Sequence, residues 1–270
     1  MTMPVSVLDV RAFKERGTRF AMLTAYDALI AQALDEAGIP LLLVGDTLGI
    51  FVMGQPTTLT VTMEVMLHHC RAVVKGARNA LVVGDLPFGS YQVSLEEGMR
   101  SAVRLMKEGG VGAIKMEGPW YELAERLTRS GIPVMGHLGL TPQSSHQLGG
   151  YKVQARTEAA AKRLVEEARR LEEAGIFALV LEAVPSEAAR RVTEALGIPT
   201  IGIGAGPNCD GQVLVSSEML GLSSGPRPRF AKVYASLRDE VIRAARAYAD
   251  EVSDGTYPDS AHSYDWSLRT

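Results

Sequence analysis

The sequence predicts one (β/α)8 barrel domain of the α/β class over residues 1–270, and two observations predict it. Short apolar runs alternate with longer amphipathic runs about eight times over roughly 200 residues, which is typical of repeated strand–helix units. The apolar runs are rich in Val, Ile and Leu and show little polar alternation, as expected of parallel strands covered on both faces. An open, doubly wound sheet is the alternative architecture.

The apolar runs give eight strands in order. Each is short and ends near a glycine or a polar residue, which separates it from the helical pattern that follows. The predicted strand ranges are 20–26, 40–46, 80–85, 111–118, 132–139, 177–184, 198–206 and, more weakly, 211–216.

Helical patterns fill the gaps between these strands. The best-delimited helices begin with Ser or Thr and end at Gly, as helix caps often do. They are predicted at 94–110, 157–175 and 186–197. A further helix is expected after Ala231, followed by a polar tail over about 253–270. Two long segments, 47–62 and 140–154, follow the second and fifth strands, and connections of this length are usually functional.

Composition limits the partners and the compartment. A formal net charge of −3 without a Lys/Arg block argues against a nucleic-acid partner. No apolar run approaches the ~18 residues that a membrane span needs, and the N-terminal stretch lacks the apolar region of a signal peptide. The two cysteines, Cys70 and Cys209, have no metal-binding or disulfide spacing. We therefore expect a cytoplasmic protein.

Ionisable residues stand at the ends of several predicted strands. Because a parallel barrel carries its active site at the carboxyl ends of its strands, we expect these residues to converge on one rim. They are Asp46, Asp85, Lys115, Glu117, His137 and Glu182.

Asp46 and Asp85 each close a Val-Gly-Asp sequence at a strand end. Helix capping is the alternative role, but Ser94 already caps the helix after Asp85, and the helical pattern after Asp46 starts only near Thr62. Two neighbouring carboxylates repel unless they are protonated or share a cation. Hard oxygen ligands with open positions suit Mg²⁺, so we expect a magnesium site here.

Lys115 and Glu117 lie on one face of their predicted strand, because side chains alternate along a strand. A surface Lys–Glu pair is the alternative, but a strand covered on both faces has no solvated side. We therefore expect both side chains to point into the barrel mouth. There Lys115 needs an anionic partner, and Glu117 reaches the metal directly or through water.

Other residues allow two interpretations each. Glu182 ends an apolar strand as either a salt-bridged structural acid or a proton acceptor. His137 is either a hydrogen-bonded core residue or a substrate contact. The glycine-rich stretch 202–206 forms either a tight turn or a phosphate-binding loop, and it matches neither glycine-rich nucleotide motif. His68 and His69 have no matching acids, which favours a surface or packing role.

Together these residues indicate chemistry on a 2-oxo acid. The sequence shows no Ser/His/Asp order and no context for a nucleophilic cysteine. Mg²⁺ would chelate the oxo group and carboxylate of such a substrate and acidify the adjacent carbon. Glu182 would then take the proton.

Eight ordered blocks also carry a family resemblance. They are "TAYD", "LLVGDTLG", "DLPF", "KMEG", "GHLGLTPQS", "GGYKVQ", "LVLEAVP" and "IGIGAG" with "DGQVLV". From about residue 18 to about residue 262 the chain closely resembles the ketopantoate hydroxymethyltransferase family. The resemblance implies a (β/α)8 barrel that uses Mg²⁺ to transfer a one-carbon unit from 5,10-methylenetetrahydrofolate to 3-methyl-2-oxobutanoate. The products would be 2-dehydropantoate and tetrahydrofolate, in the first committed step of pantothenate synthesis.

The resemblance also implies roles for individual residues. Asp46 and Asp85 would bind the metal, and Glu117 would complete the metal shell through water. Glu182 would be the base that removes the C3 proton. The residues expected to bind the oxo acid are Asp46, Thr47, Asp85, Lys115 and His137. Family members form large homo-oligomers, typically decamers.

One departure from the family pattern concerns Thr47, which stands where the family commonly has Ser. The hydroxyl is kept, so substrate hydrogen bonding is expected to persist, while the extra methyl would tighten the pocket. Two other functions are considered. The first is a Mg²⁺-dependent lyase of the isocitrate lyase and phosphoenolpyruvate mutase type, whose typical cysteine loop is not found. The second is a non-enzymatic barrel that binds phosphate or another ligand through 202–206.

Overall fold

The computed structural model describes residues 4–225, 227–264 and 266. In this described part of the chain, eight parallel strands close into a barrel in sequential order, and the last strand pairs with the first. The strands are β1 Phe20–Thr24, β2 Leu41–Val44, β3 Leu81–Asp85, β4 Ala113–Glu117, β5 Val134–Gly139, β6 Ala178–Glu182, β7 Thr200–Ile203 and β8 Gly211–Leu214. Each lies inside its predicted range. The (β/α)8 barrel is confirmed, and the open doubly wound sheet is wrong.

Helices alternate with the strands. They are α1 Val7–Glu15, α2 Ala28–Glu36, α3 Leu48–Phe51, α4 Met63–Gly76, α5 Leu95–Arg104, α6 Tyr121–Arg129, α7 Ser145–Leu148, α8 Glu158–Glu173, α9 Ser186–Ala195, α10 Ser216–Met219 and α11 Leu237–Ser253. Short 3-10 helices occupy Thr58–Thr60, Pro142–Ser144 and Ser260–His262, and a π-helical turn, Leu105–Gly109, extends α5.

The predicted caps set the ends of the long helices. The Ser94 side chain accepts a hydrogen bond from the Glu97 N–H at 3.2 Å at the start of α5. The π-helical turn after α5 is capped by Gly110, whose φ of 77° is a left-handed conformation that glycine adopts without strain. Thr157 caps α8 in the same way as Ser94 caps α5. These helices therefore begin and end close to the predicted positions.

Two features differ from the sequence prediction. Both long segments contain helix: α3 and a 3-10 turn in 47–62, and a 3-10 turn followed by α7 in 140–154. Helix α1 was not predicted. It begins at a capping box formed by Ser6 and Asp9, and its Val10 is fully buried in the hydrophobic core of the barrel. The burial of Val10 shows that α1 packs against this core.

The inward-facing side chains of β3 and β5 change from apolar to ionisable toward the carboxyl end of each strand. On β3, Leu81 and Val83 belong to the hydrophobic core, and Asp85, two residues further on, lines a cavity. On β5, Met135 belongs to the core and His137 lines the same cavity. Since side chains alternate along a strand, the apolar residues and the ionisable residue share one face. The polar site therefore lies directly above an apolar core.

The chain forms two compact units, Met1–Ser216 and Ser217–Thr270. The first contains the barrel, and the second contains α11, which confirms the helix predicted after Ala231. Of the predicted polar tail, residues 265 and 267–270 lie outside the described residues. Among the helices described, none combines the length and apolar character needed to cross a bilayer.

Candidate active site

All seven residues predicted for the site line one cavity at the carboxyl ends of the strands. The cavity has a volume of about 50 Å³ and opens to solvent at its mouth. The predicted residues in its wall are Asp46, Thr47, Asp85, Lys115, Glu117, His137 and Glu182. The structure thus brings together side chains from the ends of β2, β3, β4, β5 and β6.

The carboxylates of Asp46 and Asp85 lie at the ends of neighbouring strands. The backbone N–H of Asp46 donates a hydrogen bond to Asp85 Oδ2 at 3.1 Å, which orients the second carboxylate toward the end of β2. A short helix does begin at Leu48, but its first turn receives no side-chain cap, and Ser94 caps α5. Neither aspartate acts as a helix cap, so both carboxylates are available to the cavity.

Lys115 points into the barrel, as predicted from strand alternation. Its ammonium Nζ lies 2.8 Å from Asp85 Oδ1, and both side chains are buried. This contact is a buried ion pair, which partly neutralises the Asp85 carboxylate. Lys115 therefore offers the inner end of the cavity a fixed positive charge.

His137 lies between two glutamates. Its Nδ1 is 3.5 Å from Glu117 Oε1, and its Nε2 is 3.3 Å from Glu182 Oε2. The Glu182 side chain is 17% exposed, whereas the side chains of Glu117 and His137 are each 3% exposed. Glu182 is thus the most accessible acid in this group. His137 Nε2 forms no hydrogen bond within the described part of the chain, so its contact with Glu182 is electrostatic.

Burial and like charges make the two aspartates hard to ionise. Burial raises the pKa of Asp46 well above its usual value, and the charges of Glu117 and Asp85 raise it further. Burial also raises the pKa of Asp85, although the charge of Lys115 opposes this effect. For Lys115 burial acts to lower the pKa, but the charges of the three acids outweigh it, and the pKa lies above its usual value. A further cation beside the aspartates would relieve their repulsion.

For Glu117 and His137, unlike the two aspartates, neighbouring groups outweigh burial and favour the ionised form. Burial acts to raise the pKa of Glu117, but its contact with His137 and the charge of Lys115 outweigh burial and lower it. Burial and Lys115 act to lower the pKa of His137, while Glu117 and Glu182 raise it more strongly, to about 9. The two glutamates thus favour the protonated form of His137, while Lys115 Nζ, 3.4 Å from His137 Nδ1, opposes it.

The neighbouring carboxylates of Asp46 and Asp85 suit a hard divalent cation. Asp46 Oδ2 accepts from the Gln143 side chain, and Asp46 Oδ1 accepts no hydrogen bond in the described chain, whereas Asp85 Oδ2 accepts from the Asp46 N–H and Asp85 Oδ1 is paired with Lys115 Nζ. In the described ranges, no three His, Cys, Asp or Glu side chains form a closed ligand cluster. Mg²⁺ commonly takes one or two carboxylates and fills its other positions with water and substrate, so these donors fit it.

Three polar residues that hold the side chains of the site from outside the cavity wall were not predicted. Gln143, in the 3-10 helix after β5, and Tyr91, before α5, are buried and hydrogen-bonded to each other at 2.7 Å. The hydroxyl of Tyr26 lies 2.8 Å from Thr47 Oγ1, and burial raises the pKa of this tyrosine to about 12. The only sequence signals for Tyr26 and Gln143 were their places in "TAYD" and "GHLGLTPQS".

The remaining candidates behave as structural residues. Gly206, in the glycine-rich stretch, has a φ of 79°, and a Cβ on it would overlap Ser186, which agrees with a tight turn. His69 Nδ1 lies 2.6 Å from the carbonyl oxygen of Tyr26, a contact that packs α4 against the segment after β1. Both cysteines are buried as free thiols, and neither is among the described residues that line the cavity.

Comparison with known proteins decides the family. A sequence model described as ketopantoate hydroxymethyltransferase matches residues 4–260. The chain belongs to this family. It is 55% identical over 258 residues to 3-methyl-2-oxobutanoate hydroxymethyltransferase of Syntrophus aciditrophicus, covering 94% of each chain. It is also 53% identical to the protein of that name from Oleidesulfovibrio alaskensis, over 97% of this chain and 91% of the relative.

Membership of the family makes the chain an enzyme of the transferase class. A non-enzymatic ligand-binding barrel is therefore wrong. Among solved structures, phosphonopyruvate hydrolase with oxalate and Mg²⁺ aligns with a TM-score of 0.61 at 15% identity, over 96% of this chain and 92% of that one. The 2,3-dimethylmalate lyase, a member of the PEP mutase/isocitrate lyase superfamily, aligns with a TM-score of 0.60 at 18% identity, over 96% and 91%. At these identities the likeness concerns the fold.

Proposed function

We propose that the chain transfers a hydroxymethyl group from 5,10-methylenetetrahydrofolate to 3-methyl-2-oxobutanoate. Water supplies the oxygen, and the products are 2-dehydropantoate and tetrahydrofolate, in the first committed step of pantothenate synthesis. The observation that carries the proposal is the shared cavity of Asp46, Asp85 and Glu182, with Glu182 the most accessible of the acids. Family membership and the names of the relatives support the same substrate.

Mg²⁺ fits this proposal as the resident metal. Asp46 and Asp85 would hold it through their carboxylates, with the Asp85 carboxylate shared with Lys115, and Glu117 would support its water shell. When bound, the metal would polarise the 2-oxo and carboxylate groups of the substrate and acidify the hydrogen on C3. The charge of the metal would also relieve the repulsion that raises the pKa of Asp46 and Asp85.

The side chains of the cavity divide the remaining work. Glu182 accepts the C3 proton, because its carboxylate is the one that solvent and substrate reach most easily. Lys115 attracts the substrate carboxylate, while Thr47 presents a hydroxyl that Tyr26 orients. His137, held between the two glutamates, keeps Glu182 in place beside the cavity.

Proton exchange tests the first half of the reaction without folate. The C3 proton of 3-methyl-2-oxobutanoate should exchange in D₂O at a rate that depends on Mg²⁺, as followed by NMR. Adding 5,10-methylenetetrahydrofolate should then give 2-dehydropantoate in a one-to-one ratio with tetrahydrofolate. If the folded, metal-loaded protein shows neither exchange nor transfer, with or without tetrahydrofolate, the proposal is wrong.

The alternative lyase activity needs its own control. A Mg²⁺-dependent lyase of the isocitrate lyase and phosphoenolpyruvate mutase type would cleave 2,3-dimethylmalate or 2-methylisocitrate, and it typically uses a cysteine. Both cysteines here are buried and neither lines the cavity in the described chain, so we expect no cleavage of either compound. Cleavage at a rate comparable to transfer would favour the lyase.

We also propose that the protein is cytoplasmic and that it assembles into a homo-oligomer, a decamer by family resemblance. We expect neither nucleic acid nor membrane as a partner. The formal net charge of −3 argues against a nucleic-acid partner, and the two free cysteines suit a reducing compartment, while the assembly rests on the family resemblance alone. Light scattering after size-exclusion chromatography would give the assembly mass, to be compared with ten times 29.0 kDa.

A further inference from the structure

Gln143 connects three strand ends behind the cavity. It lies in the 3-10 helix Pro142–Ser144 and is 5% exposed. Its side-chain Nε2 donates hydrogen bonds to Asp46 Oδ2 and to the carbonyl oxygen of Leu86, each at 2.9 Å. Its backbone N–H donates to Glu117 Oε2 at 2.9 Å. Gln143, which follows β5 in the chain, therefore forms hydrogen bonds with residues at or next to the ends of β2, β3 and β4.

The chemistry of its neighbours fixes the orientation of the Gln143 amide. Its Oε1 accepts hydrogen bonds from the Tyr91 hydroxyl at 2.7 Å and from Gln92 Nε2 at 3.0 Å. All four hydrogen-bonding positions of the amide are thus occupied. A flipped amide would place its oxygen against the oxygens of Asp46 and Leu86 and its NH₂ against Gln92 Nε2. Only one orientation satisfies every partner, so the amide is rigid.

This rigidity has a direct effect on the acids. The Gln143 amide occupies Asp46 Oδ2, so Oδ1 is the oxygen left for another ligand. The backbone N–H of the same residue occupies Glu117 Oε2. Gln143 is not among the described residues that line the cavity, so it acts through the acids and not on the substrate.

We propose that Gln143 is a positioning residue for the divalent metal, holding Asp46 and Glu117 so that one oxygen of each faces the metal and its water. The inference rests on the proposed function, because that function places the metal at Asp46 and Asp85. Removing a partner that orients a metal-binding carboxylate typically weakens metal binding by about 10-fold to 100-fold. The effect on the chemistry itself should be smaller once metal saturates the site.

The decisive variant is Gln143→Met, which keeps the length of the side chain and removes its polar atoms. Titration of the purified full-length protein with Mg²⁺ by calorimetry should show affinity about 10-fold to 100-fold weaker than in the wild type. The Mg²⁺ concentration for half-maximal C3 exchange should rise by the same factor, and exchange should recover at saturating Mg²⁺. A merely structural role would reduce the folded fraction without shifting this dependence.

Gln32→Met is the matched control. Gln32 Nε2 also donates to a carboxylate, Glu36 Oε1, at 2.8 Å, but on the exposed surface of α2. The same substitution there should leave Mg²⁺ affinity within about twofold of wild type, well short of the usual loss for an outer-shell partner. A comparable loss in this control would mean that the Gln143 result is not specific to the site.

A second variant protects the test if Gln143→Met does not fold. Tyr91→Phe removes the hydroxyl that donates to Gln143 Oε1 and accepts from the Glu117 N–H at 3.1 Å, and it leaves Gln92 as the partner of Oε1, so Mg²⁺ affinity should fall by a smaller factor, about 3-fold to 10-fold. Unchanged affinity in a folded Gln143→Met protein, or in Tyr91→Phe if the first does not fold, would overturn the inference alone. A wild-type protein that binds no Mg²⁺, or binds it equally well after Asp46→Asn, would overturn the metal site of the proposed function as well.

Discussion

Lys115 Nζ and Asp85 Oδ1 lie 2.8 Å apart at adjacent positions on β4 and β3, with each side chain 4% exposed. A buried ion pair of this kind contributes little net stability, because desolvation offsets the attraction. Removing one partner is different, since the other charge then stays buried without compensation. The pair therefore links the cavity's charge balance to the stability of the barrel.

We expect Lys115→Met to lower the free energy of unfolding by about 3–5 kcal/mol in the absence of metal, as measured by urea denaturation. The double variant with Asp85→Asn should recover most of this loss, because the uncompensated carboxylate is removed. If the single and double variants are equally unstable, packing around Lys115 matters more than its charge.

Glu182→Gln tests the assignment of the base. The amide has nearly the same shape as the carboxylate but cannot accept a proton, so C3 exchange should fall by at least ~10³, equivalent to about 4 kcal/mol of transition-state stabilisation. Binding of the oxo acid, measured by calorimetry with Mg²⁺ present, should change little. Undiminished exchange would remove Glu182 from this role.

Thr47 separates the effects of a hydroxyl and a methyl group. Thr47→Val deletes the partner of the buried Tyr26 hydroxyl, which should cost about 1–3 kcal/mol and weaken oxo-acid binding by about tenfold or more. Thr47→Ser keeps the hydroxyl and should retain wild-type affinity within about threefold, since only one methyl is lost. Substrate titrations of both variants would check this, and a loss in Thr47→Ser with wild-type affinity in Thr47→Val would assign the effect to the methyl group.

Asp35 should make the stability of the barrel depend on pH. Its carboxylate accepts hydrogen bonds from the backbone N–H groups of Arg78, Asn79 and Ala80, which join the end of α2 to the start of β3. Burial acts to raise the pKa of Asp35, but these hydrogen bonds outweigh it and lower the pKa. A pKa that is lower in the folded state stabilises the fold above the unfolded value of about 3.9, and this stabilisation is lost as pH falls through the folded pKa.

Asp35→Asn should accordingly be less stable than wild type by about 2–3 kcal/mol at pH 7, because its NH₂ would face backbone N–H groups. Below about pH 4 the difference should narrow, since Asp35 in the unfolded wild-type chain then takes up a proton that the folded state still resists. Urea denaturation of both proteins from pH 7 to about pH 3 would check this. A difference that does not vary with pH would show that the charge of Asp35 is unimportant.

Residues on the strands were the predictable part of the site. Asp85, Lys115 and His137 each follow an apolar run at a strand end, and the two-residue period of a strand fixes the face on which each lies. A closed parallel barrel then brings these ends together. The pattern within each strand, combined with one fold class, was enough to identify the charged residues of the cavity.

Residues outside the strands were not predictable in this way. Gln143 lies 97 positions from its partner Asp46, in a connection without periodicity, so nothing local to its sequence indicates the contact. Helix α1 was missed for a related reason. It is only nine residues long, and the burial of its Val10 depends on the barrel core against which it packs. Such contacts are decided by tertiary structure.

The interior of the barrel places the residues that stabilise the fold and the residues that line the cavity in different layers. Leu81 and Val83 stabilise the fold from the lower layers, while Asp85, on the same strand, belongs to the layer that carries the charges. Substitutions in the charged layer that keep its charges balanced can therefore change the reaction while the apolar layers preserve the architecture. A lineage built on this barrel can acquire a new substrate without first acquiring a new way to fold.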